Sequence, residues 1–408
     1  MKYVSGPYIQ GQLLRDIHEV EIALTERFLR NGVITDAAEQ RSWRERVEDA
    51  SFGQNTVMFD DQGNPSVMVV FPLQTEDSLL AGASNMPHPA FLVNEAIKPL
   101  IYISKYQCFT SGSGATLRAI GLKHRDPATF INFDNALLAC SQKGSGWHLM
   151  TNAEWAAIAL YSKKRGFLPR GNSYNGASHL VASEKGIPCF YDTVFSGNKM
   201  GRILTGSGPN TWSHDGTPFG IFDLCGNVWE LVGGTRLNDG EIQILANNNA
   251  ADSSKSQSAV STEWQAILQD GSLVSPGTAD TLKVDNTTVG DSLTNTHDVG
   301  GDPIINTTVT NPMYIPRGEF EYGYSSCSFK NLTASGGVNI PNLLKLLALF
   351  PIDGTEPGGF SARNYGEKML HRGGCWLDSG NAGIFSYRYY GKRIYANEIT
   401  GFRAAYIN

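Results

Sequence analysis

Tyrosine is concentrated near the C-terminal end of the chain, among side chains that are mostly short and polar. Tyr387, Tyr389, Tyr390 and Tyr395 are four of the 16 tyrosines, and Ser, Arg, Asn and Gly accompany them within residues 377–397. Tyrosine offers a large amphipathic contact area at low entropic cost, and the small polar residues add adaptable hydrogen bonds. This composition indicates a binding surface rather than a catalytic centre.

The same tyrosines have an alternative place in the core. Side chains alternate between the two faces of a strand, so Phe385, Tyr387 and Tyr389 would share one face. Burial is expected for Phe385. Both interpretations stay open for the tyrosines, because Arg388 and Lys392 interleave with them and charged side chains are rarely buried.

The motifs of common catalytic sites are absent from the sequence. No GxSxG, HExxH or GxxxxGK[ST] occurs, and the eight histidines do not cluster. The cysteines are too widely spaced for a CxxC pair or a zinc knuckle. Free, buried thiols are favoured, and three disulfides in an oxidising compartment are the alternative. The six cysteines are Cys108, Cys140, Cys189, Cys225, Cys327 and Cys375.

The charge pattern limits the classes of partner. With 33 basic and 39 acidic residues the net charge is −6, and no long run of like charge occurs. A nucleic-acid or anionic-membrane partner held by bulk electrostatics is therefore not expected. No signal peptide is visible at the N-terminus, and no apolar run reaches the roughly 18 residues of a membrane span. These features predict no membrane insertion and leave the localisation open.

Residues 1–95 are predicted to form a small N-terminal domain. An amphipathic helix is expected between Gln10 and Asn31, a strand over residues 66–72 and a boundary near residues 85–89. The apolar stripe of the helix either packs on its own domain or binds a partner helix, and the second case would make the protein an oligomer through this domain. The stripe consists of Leu13, Ile17, Val20, Leu24 and Phe28.

Residues 96–408 are predicted to form the second domain. A strand is expected from Ile101 and a helix over Phe133–Cys140. Thr151 precedes Glu154 by three residues, which is the capping box that opens a further helix. Between about 235 and 310 the chain is rich in Asn, Asp, Ser and Thr, so a long surface insertion is predicted there, with strands around Leu273 and residues 282–284.

Four landmarks occur in a fixed order along this second domain. Together they resemble the signature of the formylglycine-generating-enzyme and sulfatase-modifying-factor family. The resemblance implies an α+β protein with a variant C-type lectin fold, in which loops and two or more helices surround a small antiparallel sheet. Most landmark residues are expected to support the fold. The landmarks are TNAEW at 151–155, GIFDLCGNVWE at 220–230, RGGCW at 372–376 and GFR at 401–403.

The resemblance also argues against the chemistry of the family's enzymes. In the members that oxidise a substrate cysteine, two copper-binding cysteines follow the RGGSW motif. The matching positions here are Asp378 and Gly383, and neither can supply a thiolate. Cys375 lies inside the motif and is expected to point into the scaffold. The chain is therefore predicted not to be an enzyme, and a related oxidase acting on cysteine is the disfavoured alternative.

The frame RGGxW…AGxF…GFRAA also resembles the variable proteins of diversity-generating retroelements. The resemblance implies a hypervariable, ligand-binding region within 372–403 that recognises a protein or glycan receptor on a target cell, as in a viral tropism or cell-surface-binding protein. The expected ligand-binding residues are Leu377, Asp378, Ser379, Ser386, Tyr387, Arg388, Tyr389, Tyr390, Gly391, Tyr395, Ala396 and Asn397.

The family resemblance implies a candidate calcium site in the second landmark. Asp223 and Glu230 would supply carboxylate oxygens, and Gly226 and Val228 would supply carbonyl oxygens. Such oxygen ligands suit a hard cation. The alternative is that backbone amides satisfy both carboxylates. No other cofactor is expected.

Overall fold

The computed structural model describes residues 7–193, 197, 199–290, 300–313 and 323–408, with side chains from residue 17 onward. This part of the chain contains α-helices and a larger number of strands, so the predicted α+β class is confirmed. None of the described helices is long and apolar enough to cross a membrane. The helices are α1 (Pro7–Asn31), α2 (Ala37–Ala50), α3 (Glu76–Leu79), α4 (Phe133–Ser141), α5 (Asn152–Lys164) and α6 (Asn342–Leu346).

Most of the described strands are short, as the abundance of turn-forming residues predicts. They are β1 (Asn55–Phe59), β2 (Pro65–Pro72), β3 (Leu92–Val93), β4 (Ala96–Ile97), β5 (Leu100–Ser104), β6 (Phe109–Ser111), β7 (Arg118–Ile120), β8 (Trp147–Leu149), β9 (Tyr191–Asp192), β10 (Lys199–Met200), β11 (Trp229–Asn238), β12 (Glu241–Ile244), β13 (Gln265–Ile267), β14 (Leu273–Val274), β15 (Lys283–Asn286), β16 (Pro303–Asn306), β17 (Ser325–Ser328), β18 (Thr333–Ala334), β19 (Gly359–Ala362), β20 (Glu367–Gly373), β21 (Gly383–Gly391), β22 (Thr400–Phe402) and β23 (Ala404–Tyr406).

The N-terminal helix α1 uses its apolar stripe inside the chain. Ile17 and Leu24 are fully buried and belong to a cluster that includes Trp43 and Val47 of α2. The side chain of Leu13 lies outside the described residues. Over the described part of the stripe, packing on the protein's own core is confirmed, and an oligomer formed through this domain stays a prediction.

A five-stranded sheet joins the two ends of the chain. Its order is β1-β2-β5-β23-β8, and every neighbouring pair is antiparallel. Strands β1 and β2 precede residue 95, whereas the other three follow it. The hydrogen bonds of this sheet therefore connect the two sides of the predicted division at residue 95.

The second large sheet has 12 strands, with β17-β19-β21-β20-β11-β12-β15-β16-β18 as its main path. It is mixed, because β19 and β21, β11 and β22, and β16 and β18 pair in parallel. We expected a small antiparallel sheet, whereas the observed sheet is large and contains parallel pairs of strands. The difference arises because segments far apart in sequence add strands to both edges.

The polar segment 235–310 is not a surface insertion. It contributes β12 to β16 to the large sheet, and its Trp264, Ile267, Leu282, Val284 and Ile305 are buried. The strands predicted around Leu273 and residues 282–284 are present as β14 and β15. The segment needs no core of its own, because its sparse apolar side chains are buried against neighbouring parts of the chain.

Helix α5 anchors the large sheet from one side. The predicted capping box is present: Glu154 N donates to Thr151 Oγ1 at 3.2 Å, and Thr151 N donates to Glu154 Oε2 at 2.9 Å. Further along the helix, Trp155 Nε1 donates to the backbone oxygen of Ile384 in β21 at 2.7 Å. This contact holds β21 against the helix and so sets the position of the tyrosine-rich segment.

The landmark residues are mostly structural, as we expected. Trp155, Arg372, Trp376 and Arg403 are almost completely buried. The Nε and Nη2 atoms of Arg372 both donate to Asn152 Oδ1, at 2.9 and 2.6 Å, which joins β20 to the start of α5.

All six cysteines are free, as we favoured, but the expected burial holds for only four of them. Four of them are buried, and Cys189 and Cys327 are partly exposed. Burial raises the pKa of the Cys189 thiol and brings that of the Cys327 thiol to about 12.

Candidate functional site

Strand β21 divides the tyrosine-rich segment between two faces. Tyr387 and Tyr389 are each only 1% exposed and belong to the main core. Tyr387 stacks on Phe360 with 4.4 Å between ring centroids, and its hydroxyl donates to Leu349 O at 2.8 Å. The Tyr389 hydroxyl is 2.8 Å from Thr235 Oγ1. Our assignment of these two tyrosines to a displayed face is therefore wrong, because the period of the strand turns them inward with Phe385.

The other face of β21 contributes Arg388 and Tyr390 to a concavity that we call the outer groove. Strands β17, β19 and β21 lie side by side, so Ser326, Ser361 and Arg388 occupy neighbouring register positions across the sheet. The groove has a volume of about 350 Å³. Its described lining residues are Trp229, Tyr324, Ser326, Cys327, Ser328, Gly359, Phe360, Ser361, Asp378, Asn381, Tyr387, Arg388 and Tyr390.

Arg388 is a buried cation at the edge of this groove. The residue is 7% exposed, and its guanidinium carbon lies 4.4 Å from the Trp229 ring centroid and 4.9 Å from that of Tyr390. Such cation–π contacts compensate only part of the lost hydration. Its Nε and Nη2 atoms are buried without a hydrogen-bond partner. Arg388 is thus a buried charge whose donors are not satisfied by the described part of the chain.

Asp378 lies in the same groove but does not neutralise Arg388. Its Oδ2 atom accepts a hydrogen bond from Cys375 N at 2.6 Å. Burial raises the pKa of the Asp378 carboxyl, although the nearby Arg388 charge opposes this shift. The described residues contain no ion pair between the two side chains. The Asp378 carboxyl therefore holds the turn after the RGGCW landmark through Oδ2, and the residue also lines the groove.

Aromatic rings form one wall of the groove around Tyr390. The Tyr390 ring meets Tyr324 edge to face at 5.5 Å and Tyr395 at 5.8 Å, measured between centroids. Arg363 lies over the same ring, with its guanidinium carbon 3.6 Å from the centroid. Tyr390 is therefore held in one orientation by neighbours on both sides.

Ser386 and Gly391 are two further corrections to the predicted binding face. Both are buried. The Ser386 hydroxyl donates to the backbone oxygen of Asn381. A Cβ atom at Gly391 would lie 2.6 Å from the Tyr395 ring, so this position has no room for a side chain. Neither residue can present a variable side chain to a ligand.

The remaining predicted residues lie at the ends of the segment. Ala396 is exposed, and the others are partly buried. Asn397 Nδ2 donates to the Tyr395 hydroxyl at 2.9 Å, and Ser379 N donates to Ser173 O at 2.8 Å. They are not among the residues that line the groove. The five are Leu377, Ser379, Tyr395, Ala396 and Asn397.

The sequence pointed to only part of the groove. Asp378, Tyr387, Arg388 and Tyr390 were predicted, but the serines of β17 and β19 and the nearby Asn381 were not. Nothing in their local sequence distinguishes these residues from ordinary surface serines and asparagines. Trp229 was assigned a structural role through its landmark, and it also forms part of the groove wall. Only the order of the strands brings these residues together.

The candidate calcium residues are already bonded to one another through neutral or positive groups. Gln107 Nε2 donates to Asp223 O, Val228 O and Glu230 Oε1 at 3.3, 3.2 and 3.0 Å. Arg403 Nη2 and Nε donate to the two Glu230 carboxylate oxygens at 2.6 and 2.7 Å. An amide nitrogen thus contacts the Val228 carbonyl and a Glu230 carboxylate oxygen, which are two of the four predicted ligands. Because Arg403 already neutralises the Glu230 carboxylate, these residues do not fit a calcium ion.

Backbone groups contact Gly226 and one oxygen of the Asp223 carboxylate. Gly226 adopts φ +77° and its N–H donates to Gly373 O at 2.9 Å, so it links the second and third landmarks. Asp223 Oδ2 accepts from Gly206 N at 2.8 Å, whereas its Oδ1 is buried without a partner. Burial raises the pKa of the Asp223 carboxyl to about 6. In the described residues no group of three or more His, Cys, Asp or Glu side chains is arranged to hold a metal ion.

Comparison with known proteins yields distant structural similarity. No family model matches the chain, and no curated protein matches its sequence. One similar solved structure is the "Major Tropism Determinant U1 Variant", with 9% identity and a TM-score of 0.27 over 84% of this chain. This chain spans only 63% of the length of that structure.

A second similar structure is PvdO from Pseudomonas aeruginosa. It has 12% identity and a TM-score of 0.27, and the match covers 86% of this chain and 98% of that one. At these TM-scores neither similarity carries an argument about the fold of this chain.

Proposed function

We propose that this chain is a ligand-binding protein of the retroelement-diversified type, with a variant C-type lectin fold of the formylglycine-generating-enzyme kind. Its C-terminal face recognises a receptor on a target cell by surface complementarity, as in a viral tropism or cell-surface-binding protein. The chain catalyses no reaction in this proposal. The four landmarks of the sequence support the fold assignment, and the low structural similarities add no weight to it.

The outer groove is the observation that carries the proposal. It lies at the tyrosine-rich segment, and Asp378, Arg388 and Tyr390 contribute to it from there. Binding sites for small groups are typically concave and combine aromatic walls with a few placed polar groups. The buried but unsatisfied Arg388 gives the groove a polar group for which the described chain supplies no partner.

The environment of Cys375 supports a role without catalysis. It is 1% exposed, and burial raises the pKa of its thiol well above the usual range. The positions of the family's copper-binding cysteines hold Asp378 and Gly383, so the thiolate pair for copper is missing. We expect no turnover when the protein is given copper and a cysteine-containing peptide. Measurable oxidation of the peptide would contradict this part of the proposal.

The gene sequence of sister isolates tests the diversification directly. Variation should concentrate at Asp378, Arg388, Tyr390 and Ala396, because their side chains line the groove or reach solvent. Tyr387 and Tyr389 should stay aromatic, because both fill the core. We also expect a reverse-transcriptase gene near an imperfect copy of the 3′ end. An invariant 377–397 segment across isolates would contradict the proposal.

A further inference from the structure

We propose that the outer groove binds an acidic sugar residue and that Arg388 receives its carboxylate. This inference rests on the proposed ligand-binding function and adds the chemical class of the ligand. The unsatisfied guanidinium of Arg388 and the size and polarity of the groove support it. An acidic peptide is the competing ligand.

The unsatisfied donors of Arg388 lie on one edge of the guanidinium group. Nε and Nη2 together form the fork that matches the two oxygens of a carboxylate. In Arg403 the same two atoms bind the Glu230 carboxylate, and in Arg372 they both bind Asn152. Arg388 carries the same fork in a buried place without an acceptor. A ligand carboxylate would complete the pattern that the other two buried arginines already show.

Among the described residues, no acidic side chain forms an ion pair with Arg388. Asp378 is engaged with the backbone of Cys375 and makes no ion pair with Arg388. His371 is its register partner on β20, and burial together with the Arg388 charge lowers the pKa of that imidazole well below its usual value. His371 is therefore neutral near pH 7 and offers no counter-charge. An unpaired buried cation is costly, so a bound anion is expected to be stabilising.

The shape of the groove favours a sugar over a peptide surface. A volume of about 350 Å³ lies at the small end of ligand sites, whereas a protein partner normally covers a much wider area. Ser328, Ser361 and Asn381 place hydroxyl and amide groups along the groove, which suits a ligand rich in hydroxyls.

Calorimetric titration of the full chain with three probes tests the proposal. D-Glucuronate carries the ring carboxylate, D-glucose lacks it, and L-glutamate carries a carboxylate without the sugar ring. We expect D-glucuronate to bind and the other two probes to bind at least about tenfold more weakly. D-Glucose loses the charge-assisted bidentate contact, and L-glutamate loses the contacts of the sugar hydroxyl groups. Equal binding of D-glucuronate and D-glucose would overturn the role of the carboxylate.

Variants connect the binding to the groove. Arg388→Met should weaken D-glucuronate binding by about tenfold or more, and Arg388→Lys should also weaken it, because the fork is lost while the charge is kept. Arg41→Met, at an exposed position of α2, is the matched control and should bind as the parent does. Ser361→Val changes the groove wall beside Arg388 but keeps the arginine, so it should also weaken D-glucuronate binding and guards against a folding defect at residue 388. Thermal unfolding of each variant shows whether it is folded.

The remaining outcomes separate this inference from the proposed function. Binding of L-glutamate without D-glucuronate would overturn the sugar class in favour of an acidic peptide. Absence of binding to all three probes would overturn the inference. Variation at the groove positions among sister isolates would support the proposed function in either case. Normal D-glucuronate binding by a folded Arg388→Met protein would overturn the assignment to Arg388.

Discussion

The neutral side chain of Gln107 contacts oxygens that the family resemblance assigns to a calcium ion. Its amide nitrogen joins Asp223, Val228 and Glu230, and Arg403 completes the charge balance of Glu230. Two consequences can be measured at single residues. One concerns the unpaired oxygen of Asp223, and the other concerns the buried ion pair between Glu230 and Arg403.

The Asp223→Asn variant should be more stable than the parent at pH 8 and about equally stable at pH 4. The pKa of this carboxyl is about 6 in the folded protein against an ordinary 3.8, so its favourable contribution is complete below pH 3.8 and is lost as the pH rises through 6. The expected gain at pH 8 is about 1–3 kcal/mol. Asn also tolerates the φ of +62° at this position.

Urea unfolding at the two pH values measures this difference. The same gain at pH 4 and pH 8 would show that the effect is not the titration of Asp223. If a chelator lowered the stability of the parent protein and added calcium restored it, the metal site would be favoured instead. We expect a chelator to leave the unfolding free energy of the parent unchanged.

Breaking the Glu230–Arg403 pair should be strongly destabilising. Both side chains are at most 1% exposed, so Glu230→Gln leaves the Arg403 charge buried without its counter-ion. We expect a loss of about 3–5 kcal/mol in the free energy of unfolding. Urea unfolding of Glu230→Gln, Arg403→Met and the double variant measures it. Additive losses in the double variant would contradict a direct coupling of the two residues.

At the scale of elements, β21 determines which residues can meet a ligand. The strand presents Tyr387 and Tyr389 to the core and Arg388 and Tyr390 to the outer groove. A segment that resembles a continuous binding surface in sequence is therefore a strand with one face in the core and one face at the outer groove. The neighbouring strands β17 and β19 extend that face with serines.

Alanine substitutions on the two faces of β21 should differ in their effect on stability. Tyr387→Ala removes a buried ring and its hydrogen bond to Leu349, so we expect a loss of about 3–5 kcal/mol. Tyr390→Ala removes a partly exposed ring, and the expected loss is about 1 kcal/mol or less. Chemical denaturation of both variants under the same conditions provides the comparison. Similar losses would contradict the division of the strand into two faces.

Elements with strong local signals could be predicted from the sequence, but the groove could not. The helix α5 follows from Thr151 and Glu154, whose capping box depends only on residues three positions apart. The burial of Tyr389 depends on Thr235, and the exposure of Arg388 to the groove depends on β19. Such contacts are set by strand order, which the local pattern of one segment does not contain. The motif resemblance also suggested calcium. The motif could not show that an amide contacts these oxygens, because Gln107 lies outside it.

At the scale of the whole molecule, the large sheet incorporates the polar segment 235–310. Its strands pair with the sheet that carries the outer groove, and its few apolar side chains are buried. Low hydrophobicity therefore did not indicate a detachable loop here. The segment is expected to be required for folding.

Trp264 tests whether the polar segment is an integral part of the fold. The side chain is 1% exposed, its Nε1 donates to Ser258 O at 2.9 Å, and Arg236 lies over its ring. Trp264→Ala should cost about 3–5 kcal/mol. Val260→Ala, four residues earlier and 89% exposed, is the matched control and should change stability by about 0.5 kcal/mol or less. Equal stabilities of the two variants would contradict the integration of this segment.

The five-stranded sheet also has a consequence for how the chain reaches its native state. Arg403, next to β23, donates to Ser104 in β5 across 299 residues of sequence, and β23 lies between β5 and β8. Closing so long a loop loses much chain entropy before any contact compensates for it. Proteins dominated by such distant pairings fold slowly, and strands that wait for a partner expose edges prone to aggregation. Refolding from denaturant is therefore expected to be slow and to give its best yield at low protein concentration.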